Sequence, residues 1–268
     1  MTFPPFPRGR AADLPRLPAM TALTTEELIA TVCPKIRDLG WAHYSTPETT
    51  AVGEALGLDM FSLYFLGRGG VLGDVEPLVV SSAFGYFNPT LVAQMWNSGR
   101  EIVAPRVAGR AYVAAAAELG RAKFAGIDGL EAFVAAADAV NDAADPVGLA
   151  LYSAAKAEPF VDDAPGRAMQ LLAVLREFRG STHLVALRAT GLDDKTAQFV
   201  KRPQDAAMFG WNDPADFPVV TDEDRAKWEA AEALTDQLVT PAYSVLDDAG
   251  RVALAEGVDA IEAILTAG

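Results

Sequence analysis

Leu171, Leu172, Val174, Leu175, Phe178, Leu184 and Leu187 recur at helical spacing between Ala164 and Gly191. An apolar face that broad is buried only when other elements pack around it, so the segment predicts a helical domain with a sizeable core. Gly180 is expected to interrupt or bend this helix.

The other segments agree with a mainly α chain. Thr24-Thr25-Glu26-Glu27 opens a helix, because a threonine N-cap and acids in the first turn satisfy free N–H groups and the helix dipole. Its apolar positions Leu28, Ile29, Val32, Ile36 and Leu39 keep the helical period, and Gly40 allows a stop before Trp41-Ala42-His43-Tyr44. A short helix is expected from Glu48 to Leu56, whereas Met60 to Leu66 fits helix or strand. Gly67-Arg68-Gly69-Gly70-Val71-Leu72-Gly73 reads as a loop whose backbone turns tightly or approaches a neighbour closely. Asn88-Pro89 starts a helix through Trp96, and alanine-rich helices follow from Pro105 to Arg121 and from Leu130 to Asn141. Asp222 to Val239 is amphipathic, Ala242 to Leu246 is a strand candidate, and Asp247 caps a last helix to Leu265. Helix, short strand pair, helix is the order of a winged helix. No βαβ alternation is present, which argues against a Rossmann-type sheet. The expected architecture is a proline-rich strap over 1–23, a helical domain over 24–209 and a winged-helix-like C-terminal unit over 210–268 containing a short β-hairpin.

A chain of 268 residues that is 51% hydrophobic can bury a large core without disulfide or metal. The one cysteine, Cys33, sits in an apolar helical stretch and reads as a buried thiol in a reducing compartment. The opening residues lack the continuous apolar region of a signal peptide, and no run reaches the roughly 18 apolar residues of a membrane span. A cytoplasmic protein is expected. The net charge of −14 is uneven: residues 1–124 carry eleven bases and eleven acids, residues 125–210 eight and twelve, and residues 211–268 three and thirteen. Nucleic acid binding relies on basic surfaces, so the acidic C-terminal unit makes nucleic acid an unlikely partner.

The order of segments resembles an actinobacterial group called SalK-like, or helix-turn-helix-annotated, proteins. The resemblance covers most of the chain from about Ala30 and rests on His43-Tyr44, the Arg68 to Gly73 segment and the aromatic run ending at Asn88-Pro89. Its sharpest part is Leu175-Arg176-Glu177-Phe178-Arg179-Gly180-Ser181-Thr182-His183, followed by Gly191-Leu192 and Gly210-Trp211. The group usually reads Leu-Arg-Glu-His-Arg-Gly-Asp-Gly-His there. Phe178 and Ser181 therefore stand in place of a histidine and an aspartate, while Arg176, Glu177, Arg179 and His183 are kept. The resemblance implies a helical body with a winged-helix-like C-terminal part and supplies no activity.

Both histidines of the chain, His43 and His183, fall in these segments. If their helices pack together, the two share a pocket with Arg179, supplying a proton donor or acceptor beside an anion-binding fork; otherwise each is a packing histidine. No carboxylate stands three or four residues beyond either one, so no metal set is implied, and nothing names a cofactor. Arg176 and Arg179 share a helix face and can together hold a carboxylate or phosphate, or else pair with Glu177 or Asp74 to fix the fold. The glycines around Arg68 favour close packing that turns Arg68 inward over a nucleotide loop, since their spacing is not that of a P-loop. Tyr64, Phe65, Phe84, Tyr86, Phe87 and Trp96 either line an apolar pocket for a flat ligand or form core.

Two classes of function are open. One is a small-molecule-binding protein or enzyme with its pocket between the first helical region and the Arg176–His183 helix. In it His43 and His183 do acid/base work, and Arg68, Arg176, Arg179, Tyr64, Tyr86 and Trp96 contact the ligand. The other is a winged-helix transcription regulator, whose recognition helix over Asp222 to Val239 would carry only Arg225 and Lys227 among six acids. A non-catalytic interaction unit forming a homodimer loses nothing by being acidic.

Overall fold

A computed structural model describes residues 23–267, so the proline-rich strap lies outside the described residues except for Leu23. In chain order the α-helices are α1 (Thr25–Leu39), α2 (Pro47–Leu56), α3 (Met60–Gly70), α4 (Pro77–Phe84), α5 (Pro89–Ile102) and α6 (Pro105–Lys123). They continue with α7 (Leu130–Ala143), α8 (Ala150–Lys156), α9 (Ala164–Thr190), α10 (Asp194–Lys201), α11 (Asp222–Tyr243) and α12 (Asp248–Thr266). Among the described residues there is no strand, and no helix is long and apolar enough to cross a membrane.

The apolar periodicity from Ala164 onward places α9 at the centre, where α1, α6, α7, α8 and α11 pack on it. Asp163 starts it by accepting from the Gly166 N–H at 2.9 Å, Pro165 fits its first turn, and Gly191, at φ +73°, ends it. Because neighbours surround it, its buried residues include polar ones: Gln170, Glu177, Arg179, Ser181, Thr182 and His183. The helix runs through Gly180 without interruption, contrary to the sequence expectation. One glycine costs a helix about 1 kcal/mol, which burial of both flanking halves outweighs.

The first part of the glycine segment is helical where a loop is expected, since α3 continues to Gly70, and the chain turns only over Val71 to Gly73. Its glycines let α3 and α6 touch at backbone distance: a Cβ on Gly70 would stand 2.0 Å from the Pro105 carbonyl oxygen, and one on Gly67 2.8 Å from Tyr112. Arg68 meanwhile reaches α9.

The C-terminal β-hairpin does not exist. α11 runs through Pro241 to Tyr243, and Asp247 caps α12 by accepting from the Gly250 N–H at 2.8 Å. Only residues 244–247 separate the two helices, too few for two paired strands and a turn. Ala242 and Tyr243 belong to the end of a helix because both are buried in the core, while Val245 between them and Leu246 is exposed. α11 packs on α9 and α12 on α7 and α1. Lys35 of α1 tethers α12 through Asp259 at 2.7 Å and Glu262 at 2.6 Å.

Candidate functional site

Arg68 ties α3 to α9. Its Nε and Nη2 each donate to one oxygen of Glu177 at 2.8 Å, Nη1 donates to the Tyr64 hydroxyl at 3.0 Å, and the guanidinium lies 4.2 Å over the Phe84 ring. Glu177 also accepts from Arg176 Nη1 at 2.9 Å and from the Tyr44 hydroxyl at 3.4 Å. Burial alone would raise the Glu177 carboxyl, but Arg68 and Arg176 outweigh it and hold the group down to about 2.

Arg68 also lines a cavity of about 130 Å³. α9 contributes Arg176, Arg179, Gly180 and His183; α3 contributes Tyr64 and Arg68; Arg37 comes from α1, Lys201 and Arg202 from the end of α10, and Glu232 from α11. Phe84, Tyr86, Phe87 and Phe209 supply an aromatic wall. Six of the chain's 22 Lys and Arg thus meet around one space whose only carboxylate among the described residues is Glu232. That carboxylate is engaged, accepting from Arg179 Nη2 at 2.7 Å, while Arg179 Nη2 also donates to Asp236 at 3.2 Å. Arg179 is therefore both a cavity cation and a strut between α9 and α11. The Nε atoms of Arg176, Arg179 and Arg202 and the Nε2 of His183 are buried with no partner among the described residues.

The ionisation of the lining follows from burial. His183 is pushed down to about 4, chiefly by desolvation, and is neutral near pH 7. Desolvation, reinforced by Arg37, brings the Lys201 ammonium down to about 8. His183 Nδ1 sits 2.9 Å from the Thr235 hydroxyl, and the ring meets Trp228 edge-on at 4.9 Å between centroids.

The aromatic wall is held in a strained turn. Gly85 and Tyr86 have φ of +62° and +60°, and Tyr86 is the one non-glycine described residue in this region of conformational space. A second segment braces it: Trp211 Nε1 donates to the Tyr86 carbonyl at 2.8 Å, Asn88 Nδ2 to the Gly210 carbonyl at 3.1 Å, and Asn88 N to the Phe209 carbonyl at 2.8 Å.

The two histidines do not share this space. His43 sits on the turn Ala42–Ser45 and lines a second cavity of about 50 Å³ with Tyr44, Arg68, Tyr112, Gln170 and Glu177. Arg68 lines both cavities, whereas Glu177 lines the second and not the first. Burial pushes His43 down to about 3, and its Nδ1 and the Tyr112 hydroxyl lack partners among the described residues. Trp96 lines neither cavity; it is fully buried, and its Nε1 donates to the Val75 carbonyl at 2.9 Å. Of the sequence candidates, Arg68, Arg176, Arg179, His183, Tyr64 and Tyr86 are brought together. Arg37, Lys201, Arg202 and Glu232 were not singled out in sequence; the Lys201-Arg202 pair closing an amphipathic helix within an acidic half was the available signal. No group of three His, Cys, Asp or Glu among the described residues could hold a metal ion.

A family model described as a helix-turn-helix family matches residues 31–268. No curated protein and no solved structure matches the chain.

Proposed function

The chain belongs to the helix-turn-helix family, and from that premise and the cationic cavity we propose that it binds a small organic anion carrying a flat apolar group. The observation that carries this reading is the gathering of Arg176, Arg179, Lys201 and Arg202 on one cavity, with the buried Nε–H of each of the three arginines unpaired among the described residues. Each such donor costs about 1–3 kcal/mol while unsatisfied, and a carboxylate or phosphate would satisfy several at once. Tyr64, Phe84, Tyr86, Phe87 and Phe209 fit the apolar part. Of the segments behind the SalK-like resemblance, Arg68, Arg176, Arg179 and His183 line the same space and Asn88 and Gly210-Trp211 brace it, while His43-Tyr44 lies at the second cavity. His183 is the acid/base candidate of this reading; His43 belongs to the second cavity.

Thermal unfolding with phosphate, pyrophosphate, citrate, benzoate and phenyl phosphate tests it. The aromatic anions should raise the midpoint most, as ligand linkage requires, and Lys201→Met and Arg202→Met should remove the effect while leaving the ligand-free fold intact. No shift from any anion would reject the reading.

Membership of the family favours a second reading, a DNA-binding regulator. The exposed face of α11 opposes it, with Asp222, Glu223 and Asp224 in its first turn. Fluorescence anisotropy with a mixed-sequence duplex at about 50 mM salt separates the two, because phosphate contacts are strongest at low salt.

A further inference from the structure

Thr235 decides which nitrogen of His183 carries the proton. Its hydroxyl is 2.7 Å from the Ala231 carbonyl, one turn back on α11, and has only one proton to give. With that proton committed to Ala231, Thr235 Oγ1 faces His183 Nδ1 at 2.9 Å as an acceptor, so Nδ1 must be the protonated nitrogen. The other nitrogen, Nε2, then presents a bare lone pair. It is buried, has no partner among the described residues, and belongs to a residue lining the cationic cavity. Glu232 Oε1, at 3.9 Å, is beyond hydrogen-bond range, and Glu232 is held by Arg179 through its other oxygen. Burial keeps the imidazole neutral, so the lone pair is present near pH 7.

The cavity lining therefore carries two unlike requirements: positive donors that want an anion and, on His183, a buried acceptor that wants a proton donor. We propose that its ligand is an organic anion bearing its own hydroxyl, with the anionic group on the arginines and the hydroxyl donating to His183 Nε2. This rests on the reading of the cavity as an anion site. His183 is a specificity-determining binding residue, and Thr235 is a positioning residue acting through it. An analogue lacking the hydroxyl leaves Nε2 unpaired, and one with a methyl ether there offers no proton and adds bulk.

Two measurements test the proposal. Long-range ¹H–¹⁵N spectra of histidine-labelled protein contain only two imidazoles, and His43→Gln assigns them. His183 should show Nδ1 protonated and Nε2 bare at pH 7; a protonated Nε2 overturns the proposal whatever binds. Calorimetry then compares benzoate, its three hydroxy isomers and their methyl ethers. At least one hydroxybenzoate should bind about tenfold tighter than benzoate, a difference of about 1.4 kcal/mol, and its methyl ether no tighter than benzoate. Thr235→Val, at a residue outside the cavity lining, should erase that preference while benzoate still binds and should change the tautomer seen by NMR, and His183→Phe should erase the preference too. Equal binding of benzoate and every hydroxybenzoate to the wild type overturns the proposal and leaves the anion site standing. No binding by any of them overturns the proposal, and the anion site falls with it when phosphate, pyrophosphate, citrate and phenyl phosphate also leave the unfolding midpoint unmoved.

Discussion

Arg68 and Glu177 meet through two hydrogen bonds, 2.8 Å on each arm, and of the two partners Arg68 lines both cavities while Glu177 lines the smaller one. The pair joins α3 to the middle of α9, so its loss is felt by the core as well as by the site. Removing one partner of a buried pair strands the other charge. Glu177→Gln keeps the shape and leaves Arg68 and Arg176 facing a neutral amide, and should cost about 3–5 kcal/mol in urea unfolding at pH 7.

Acid should expose the same pair. The Glu177 carboxyl sits at about 2 in the folded protein against an ordinary 4.5. A depressed carboxyl contributes stability that is complete above about pH 5 and lost as pH falls through the folded value, here roughly 3 kcal/mol. Unfolding free energies measured from pH 6 to 2 should fall more shallowly for Glu177→Gln than for the wild type. Parallel curves would mean that the pair does not govern acid stability.

Two glycine substitutions should act in opposite directions. Gly70→Ala sets a Cβ 2.0 Å from the Pro105 carbonyl oxygen and should destabilise by about 3 kcal/mol or more as α3 and α6 are forced apart. Gly180→Ala meets nothing within 4 Å on an exposed part of α9 and should stabilise by about 0.5–1 kcal/mol through helix propensity. Denaturant midpoints of the two variants give the check.

Lys201 should separate stability from binding as pH rises. Its ammonium is lowered to about 8 from 10.5 by desolvation, with Arg37, Arg202 and Arg179 opposing its charge and Glu232 favouring it. The protonated form is thus a burden on the fold, and the ligand-free protein should gain stability between about pH 8 and 10.5. Anion affinity should fall over the same interval as the cavity loses a charge. One charge about 5 Å away at an effective dielectric of 20 is worth about 3 kcal/mol, so a loss of at least about tenfold is expected. Lys201→Met should flatten both trends, read by calorimetry and urea titration from pH 7 to 10.

Much of this was legible in the residues. The period of Leu171 to Leu187 marks the central helix, and Thr24 with Glu27 marks the start of α1, where both halves of a capping box form. The glycines beside Arg68 do serve close packing, although inside a helix. Ala242 to Leu246 misled because tyrosine and valine favour strands in isolation, whereas burial of Ala242 and Tyr243 keeps α11 helical past Pro241. At the cavity, Arg176, Arg179 and His183 are visible because one helix spaces them along one side. Arg37, Lys201 and Glu232 are not, because three separate helices bring them there. The placing of His43 and His183 on different cavities is likewise a tertiary fact.

The cationic cavity sits inside a molecule of net charge −14. An incoming anion is repelled at long range and attracted only at the mouth, so encounter and retention respond to salt with opposite sign. Screening lowers the outer barrier over about 10 Å at 0.1 M ionic strength, while the buried contacts are shielded far less. Added salt should therefore speed association, where an open basic surface would be slowed, and the cavity would favour small anions that slip past the acidic exterior over polyanions too large to enter.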